Sequence, residues 1–302
     1  MLFVGRMSVK LVDQSIDVDP KKYVNICERN ILRVSNKLDD YLKSQEEKNI
    51  HDIRTSARRL DASYKTLPRK LRRRKQIRRF VDKSKDLFKI NSQVRDFDVI
   101  SEIIGMNGNP QKHENMIIPK NFEARRTLKL KKAMNVAVGL RKLPLPKIKK
   151  SSVSSSKVNR RFNKLIRKYG SRIQLNLPLV MTDANKVTEL HEMRKDCKKL
   201  RYVLESIPHN NTSNNSLLKL EEDLENMQDK LGAIHDCDAT VAYLKKSQKK
   251  SRTGKDVIKS IMEERKKRYE EFLVHCKSDI LNNKRRSELF DIPKPAYNTS
   301  KQ

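Results

Sequence analysis

Apolar residues recur every three or four positions along most of the chain, the spacing of helices that bury one face. From Pro20, residues Cys27, Ile31, Val34, Leu38 and Tyr41 keep that rhythm and predict a helix to about Lys48, preceded by a loose stretch over residues 1–18. A second stripe, Ile53, Ala57, Leu60, Tyr64 and Leu67, stops at Pro68. Arg69 to Arg79 holds eight basic residues in eleven, yet Ile77, Phe80, Val81, Ser84 and Leu87 carry a helical stripe past it, so this run is expected to be ordered. Arg95-Asp96-Phe97-Asp98 is expected to open a short helix ending near Gly105, with a loop over 106–118. Phe122 to Leu143 forms a basic helix that offers Leu128, Leu130, Met134, Val138 and Leu140 for packing.

Pro144, Pro146 and the serines of 151–156 mark a boundary between two halves. Beyond it the pattern predicts a short helix from Ser156 to Tyr169, capped by Gly170, and a longer one over 183–207. After a polar loop at 210–216, Leu217, Leu220, Leu224, Met227 and Leu231 restore the stripe. A last helix spans Thr253 to Lys277, with Ile258, Ile261, Met262, Tyr269, Phe272 and Leu273 as candidate core, and fraying is expected from Asn282. The fold class read from these periods is all-α.

One stretch occurs twice. His51-Asp-Ile-Arg54-Thr-Ser-Ala-Arg58-Arg59-Leu60 returns as His191-Glu-Met-Arg194-Lys-Asp-Cys-Lys198-Lys199-Leu200, an offset of 140 (191 − 51). The same offset carries Pro68 onto Pro208, and Arg95-Asp96-Phe97-Asp98 onto His235-Asp236-Cys237-Asp238. An internal duplication into two similar antiparallel helix bundles follows: 19–145 and 146–285, flanked by flexible ends at 1–18 and 286–302. At 100° per residue, His51, Arg54, Arg58 and Lys65 oppose the apolar side of the first motif helix. His191, Arg194, Lys198 and Tyr202 oppose Met193, Cys197, Leu200, Leu204 and Ile207 in the second, with Arg201 at the flank. Like charges one turn apart repel, so such a face either meets open water or awaits an anion.

The doubled H-x-x-R-x-x-x-(R/K)-(R/K)-L motif, with Arg201-Tyr202 after the second copy and (R/H)-D-x-D further on, resembles the CHAD family (conserved histidine α-helical domain) over roughly residues 17 to 285. The resemblance implies two similar helical bundles, binding of inorganic polyphosphate, and a cytoplasmic location associated with polyphosphate granules. Carried over by position, it implies ligand contacts from His51, Arg54, Arg58, Arg59, His191, Arg194, Lys198, Lys199, Arg201 and Tyr202. Asp61 departs from the pattern, standing where the second copy has Arg201; one turn from Arg58 and Lys65, it is expected to pair with both.

Composition adds the partner class. Lys plus Arg is 69 against 37 Asp plus Glu, a net charge of +32, where solubility alone needs a magnitude of about 2–8. A polyanion is indicated: nucleic acid, acidic membrane or polyphosphate. The apolar fraction of 36% suffices for narrow helical cores. Cys27, Cys197, Cys237 and Cys276 show no metal or redox spacing and read as buried thiols in a reducing compartment. No apolar run reaches the roughly 20 residues of a membrane span, and the first residues lack a secretory pattern.

Neither Gly-rich phosphate loop is present and no cofactor motif is found. Asp96, Asp98, Asp236 and Asp238 fit either metal ligation and acid–base work or a structural role, capping a helix or orienting a motif arginine; the structural role is preferred. His51 and His191 either donate to phosphate or are satisfied within the protein; metal ligation would require them to converge with His235. The function favoured is non-catalytic capture of polyphosphate in a basic groove. The alternatives are an RNA- or DNA-binding helical protein, disfavoured by 5% aromatics and no Trp, and a metal-dependent phosphoanhydride-processing enzyme.

Overall fold

The computed structural model describes residues 18–107, 122–208, 215–247 and 252–281, and among these the regular structure is entirely helical. The first half contributes α1 (Pro20–Lys43), α2 (Glu47–Thr66), the single turn α3 (Arg69–Arg72), α4 (Lys75–Asn107) and α5 (Phe122–Arg141). The second contributes α6 (Ser155–Thr182), α7 (Val187–Leu204), α8 (Asn215–Ser247) and α9 (Arg252–Leu281). Asp19 starts α1 by accepting from the Lys21 amide at 2.7 Å, and Pro20 occupies the first turn, where its missing N–H costs nothing. Val18 is already in the core at 1% exposure, its amide donating to Asn159 Oδ1, so the expected loose stretch ends before it.

Helices α1, α2, α4 and α5 pack as one bundle and α6 to α9 as another; α2 meets α7 and α4 meets α8 between them. One buried core is continuous through both, from Tyr23 and Val34 to Met193 and Phe272. A smaller cluster of Ile100, Ile104, Phe122, Cys237, Leu244, Val257 and Ile261 ties α4, α5, α8 and α9 together. The helix bounds follow the sequence offset: α4 and α8 are each 33 residues and start at Lys75 and Asn215. All four cysteines are buried thiols. Among the described residues, no helix is long and apolar enough to cross a membrane.

Several expected boundaries move. α1 ends at Lys43, five residues early, because Ser44 turns to extended backbone. The basic run is divided into α3, a turn at Arg73 and Arg74, and the start of α4. No helix begins at Arg95: with no Gly or Pro to break it, the stripe of Leu87, Val94, Ile100 and Ile104 stays buried through α4. Gly170 does not stop α6, since Ile173, Leu177 and Val180 continue the face begun by Val158 and Phe162, burying Gly170 and carrying the helix past Pro178. On α5 the small Ala133 and Ala137, not Leu128 and Val138, face the core; the latter two are exposed. α7 is shorter than expected at both ends, and Met262 on α9 is half exposed. The expected loops at 106–118 and 210–216 and the two flexible ends lie largely outside the described residues; Met106 and Asn107 still belong to α4.

Candidate functional site

α2 and α7 turn their apolar stripes outward into their own bundles, which leaves the opposite faces looking at one another. Between them lies a cavity of about 1020 Å³. All ten motif residues implicated in binding line it, as do Asp96 and Asp236 from α4 and α8. Twelve lysines and arginines line it against six carboxylates, so the cavity is cationic even with every carboxylate ionised.

Among the motif cations, four stand apart from the rest. Arg54 and Arg58 on α2, and Arg194 and Lys198 at the equivalent positions on α7, form no ion pair among the described residues. The Nε atoms of Arg54 and Arg194 are both buried without a hydrogen-bond partner. A buried donor left unmade costs about 1–3 kcal/mol, and here the cost is incurred twice, at matching positions. Burial, then the charges of Arg194 and Arg58, push the Lys198 ammonium down to about 7. Burial and Arg58 lower Arg54 to about 10. The guanidinium of Arg58 stacks on Phe88 at 4.9 Å and that of Arg54 lies 6.0 Å from the same ring, so both are held in place by α4.

The remaining motif cations are engaged. Arg59 donates to Glu205 at 2.8 Å across the two halves. Lys199 donates to Asp196, itself 1% exposed, at 2.9 Å. Arg201 is buried and pairs with Glu205 at 2.9 Å and Glu225 at 3.0 Å. Tyr202, expected on the polar side, is buried beneath Arg201 at 4.6 Å with Arg59 at 5.9 Å. Asp61 pairs with Lys65 and Lys85, not with Arg58, which Phe88 draws away. Under the 140-residue offset Asp61, Lys65 and Lys85 correspond to Arg201, Glu205 and Glu225. The same three-membered ion-pair cluster is built twice with every charge reversed.

The histidines divide. His51 is exposed and its Nε2 lies 3.3 Å from Thr55 Oγ1. His191 Nδ1 lies 3.0 Å from His235 Nδ1, the rings 4.4 Å apart, so one ring donates and the other accepts. Burial and then Arg194 push His235 down to about 3, and burial with Lys195 and Arg194 lowers His191. Both shifts favour the neutral rings, and the shared hydrogen bond requires that the accepting Nδ1 carry no proton. His51 does not converge with this pair; Arg95 occupies the place matching His235 and pairs with Glu47.

The aspartates also split two and two. Asp98 binds Arg126 of α5 at 2.6 Å and Asp238 binds Arg265 of α9, pinning neighbouring helices away from the cavity. Asp96 and Asp236 face the cavity, both raised chiefly by burial and held down by Arg54 and Arg194 respectively. None of the four caps a helix, because all lie mid-helix. Among the described residues no group of three or more His, Cys, Asp or Glu side chains is placed to hold a metal ion. Arg33, Arg95, Lys195 and Phe88 also line the cavity; no repeated motif marks Arg33 or Phe88, and only helix-face arithmetic on α1 and α4 would have found them.

Against known proteins, a family model described as CHAD domain matches residues 29–245. The crystal structure of the CHAD domain from the plant Ricinus communis is similar at 13% sequence identity and a TM-score of 0.47, over 96% of this chain and 95% of that one. No match was found among curated proteins.

Proposed function

Because this chain belongs to the CHAD domain family, we propose that its central cavity binds inorganic polyphosphate, or a polyanion of the same repeating phosphate chemistry, without bond-making. The observation that carries this reading is the quartet of Arg54, Arg58, Arg194 and Lys198: four cations crowded into a partly buried space with no ion pair among the described residues. Such crowding costs stability in the free protein and is relieved when anionic oxygens enter. Each charge-assisted hydrogen bond contributes about 1.5–3 kcal/mol, and guanidinium groups suit two-oxygen contacts along a phosphate chain. With four such contacts, and about 0.7 counterions released per neutralised phosphate, the log–log salt slope of binding is expected near −3. Arg59, Lys199 and Arg201 are already neutralised by carboxylates and act mainly on the walls.

The nucleic-acid reading is weakened by the same contacts. Base stacking needs open aromatic faces, and Phe88, Tyr202 and Tyr169 are each overlaid by the protein's own cations. An enzymatic role would draw on Asp96 and Asp236, but Arg54 and Arg194 face them. Competition at equal phosphate concentration tests the assignment. Long-chain polyphosphate is expected to resist displacement by single-stranded RNA; ready displacement would transfer the cavity to nucleic acid. Phosphate release from polyphosphate with Mg²⁺, lost on Asp96→Asn or Asp236→Asn, would make the protein an enzyme.

A further inference from the structure

The cavity accounts for a small part of the +32 net charge. Much of the remainder sits in two stretches without a single Asp or Glu: residues 62–81, with nine lysines and arginines, and residues 124–182, with seventeen. The fold brings them together. Arg161 of α6 donates from Nε and Nη2 to the Lys65 carbonyl at the end of α2, at 3.1 and 2.8 Å. Arg72 of α3 donates to the Leu67 carbonyl one turn away, at 3.1 Å. Around these two anchors Arg69, Arg73, Lys164 and Lys168 are exposed or nearly so. Lys65 and Tyr169 belong to the cavity wall, so the surface begins where the cavity ends.

The charge-reversed clusters give this arrangement a direction. On the flank of Lys65, Lys85 and Lys199 the carboxylates Asp61, Asp82 and Asp196 are each paired with at least two cations, and beyond them lie the carboxylate-free stretches of α3 and α6. The opposite flank holds Glu205 and Glu225 on Arg201, with Glu221 raised by burial and then by the charges of Glu205 and Glu225. A polyanion that extends past the cavity meets attraction on the first flank and repulsion on the second.

Resting on the polyphosphate reading above, we propose that a chain longer than the cavity leaves it on the Lys65 flank and continues over the exposed cations of α3 and α6, so that this surface selects for chain length. Exposed cations contribute modestly one at a time, but a polymer that engages several gains their sum without a second encounter.

The test uses the full chain with tripolyphosphate and long-chain polyphosphate as probes, measured by calorimetry. The variant Arg69→Gln/Arg73→Gln/Lys164→Gln/Lys168→Gln is expected to bind long chains about tenfold more weakly and tripolyphosphate within about twofold of wild type. Removing the same charge from the exposed face of α9, which lines no part of the cavity (Lys255→Gln/Lys259→Gln/Lys266→Gln/Lys267→Gln), is expected to alter neither by more than about twofold. Equal losses for both probes, or equal losses in both variants, would reduce the surface to a diffuse coat of charge. Unchanged long-chain binding in the first variant, with loss of duplex RNA instead, would assign the surface to nucleic acid. Failure of tripolyphosphate to bind even the wild type would instead remove the cavity reading itself.

Discussion

In the first half of the molecule one carboxylate, Asp61, is held between two lysines, Lys65 and Lys85. At the matching positions of the second half one guanidinium, Arg201, is held between two carboxylates, Glu205 and Glu225. Both clusters bridge the motif helix to its neighbour at the same level, so either sign satisfies the packing. A few residues away the halves agree: Arg54 matches Arg194, Arg58 matches Lys198, and none of the four has an ion pair among the described residues. Packing alone would tolerate a reversed or paired charge there too, as the clusters demonstrate. The halves therefore agree where a ligand would need them to and differ where only mutual neutralisation is required.

The largest expected effect on stability comes from unbalancing the second cluster. Arg201→Ala would leave Glu205 and Glu225 facing Glu221, already pushed up to about 7 by burial and by Glu205. A loss of about 3 kcal/mol in unfolding free energy is expected. The deficit should be larger at about pH 8 than at about pH 5, since the folded state relieves the repulsion by binding protons that the unfolded state has released. The mirror change, Asp61→Ala, takes a carboxylate from two lysines that remain a third exposed, Lys85 keeping Asp82 at 4.0 Å, and about 1 kcal/mol is expected. Equal losses in urea unfolding would show that the two clusters are not counterparts.

Lys198 supplies a subtler contrast with Arg58. Its pKa near 7 lies below the unfolded value, so the free protein gains stability as pH rises from about 7 toward 10. Phosphate bound beside it restores the proton, so affinity should be full below about pH 7 and decline as pH rises through the higher pKa of the complex. Arg194, Arg58, Arg54 and Asp236 set its field; Lys198, at about 7, titrates well before Arg54, at about 10. Lys198→Met should raise Tm by about 2–4 °C for each kcal/mol recovered, weaken polyphosphate binding and flatten its decline above neutrality. An unchanged pH profile in calorimetry would show that Lys198 does not meet the ligand.

The smallest difference is between the histidines. His191→Ala removes a hydrogen bond to His235, about 1 kcal/mol, whereas His51→Ala removes an exposed contact to Thr55 and should leave Tm within about 1 °C. Matching Tm losses would contradict the asymmetry described for this pair.

What the chain betrayed in advance, and what it hid, divides along the range of the forces involved. Helical period is local, so the buried faces of α2 and α7 could be read from spacing alone, whereas the ten residues that line the cavity were implied by the family resemblance and not by spacing. The ion pairs could not: Arg59 and Glu205 are 146 positions apart, and nothing near Arg201 announces that Glu225 will neutralise it. Helix ends failed where a local signal met a stronger tertiary one. Gly170 is a good cap in isolation, yet Ile173, Leu177 and Val180 draw the chain onward into the core. The aspartates of α4 and α8 look like helix starters only until Val94 and Ile104, buried on either side of Asp96 and Asp98, bind both parts to one face.

The account stands on a quartet of cations acting as a defined site within a generally basic protein. Calorimetric titration of polyphosphate into Arg54→Ala/Arg194→Ala, beside Lys255→Ala/Lys259→Ala on α9 with the same charge removed, addresses it directly. The first variant is expected to lose two to four powers of ten in affinity, about 3–6 kcal/mol for two charge-assisted contacts, and the second less than about tenfold. Equal losses in the two variants would mean that charge is sensed only in bulk, and the cavity would hold no site.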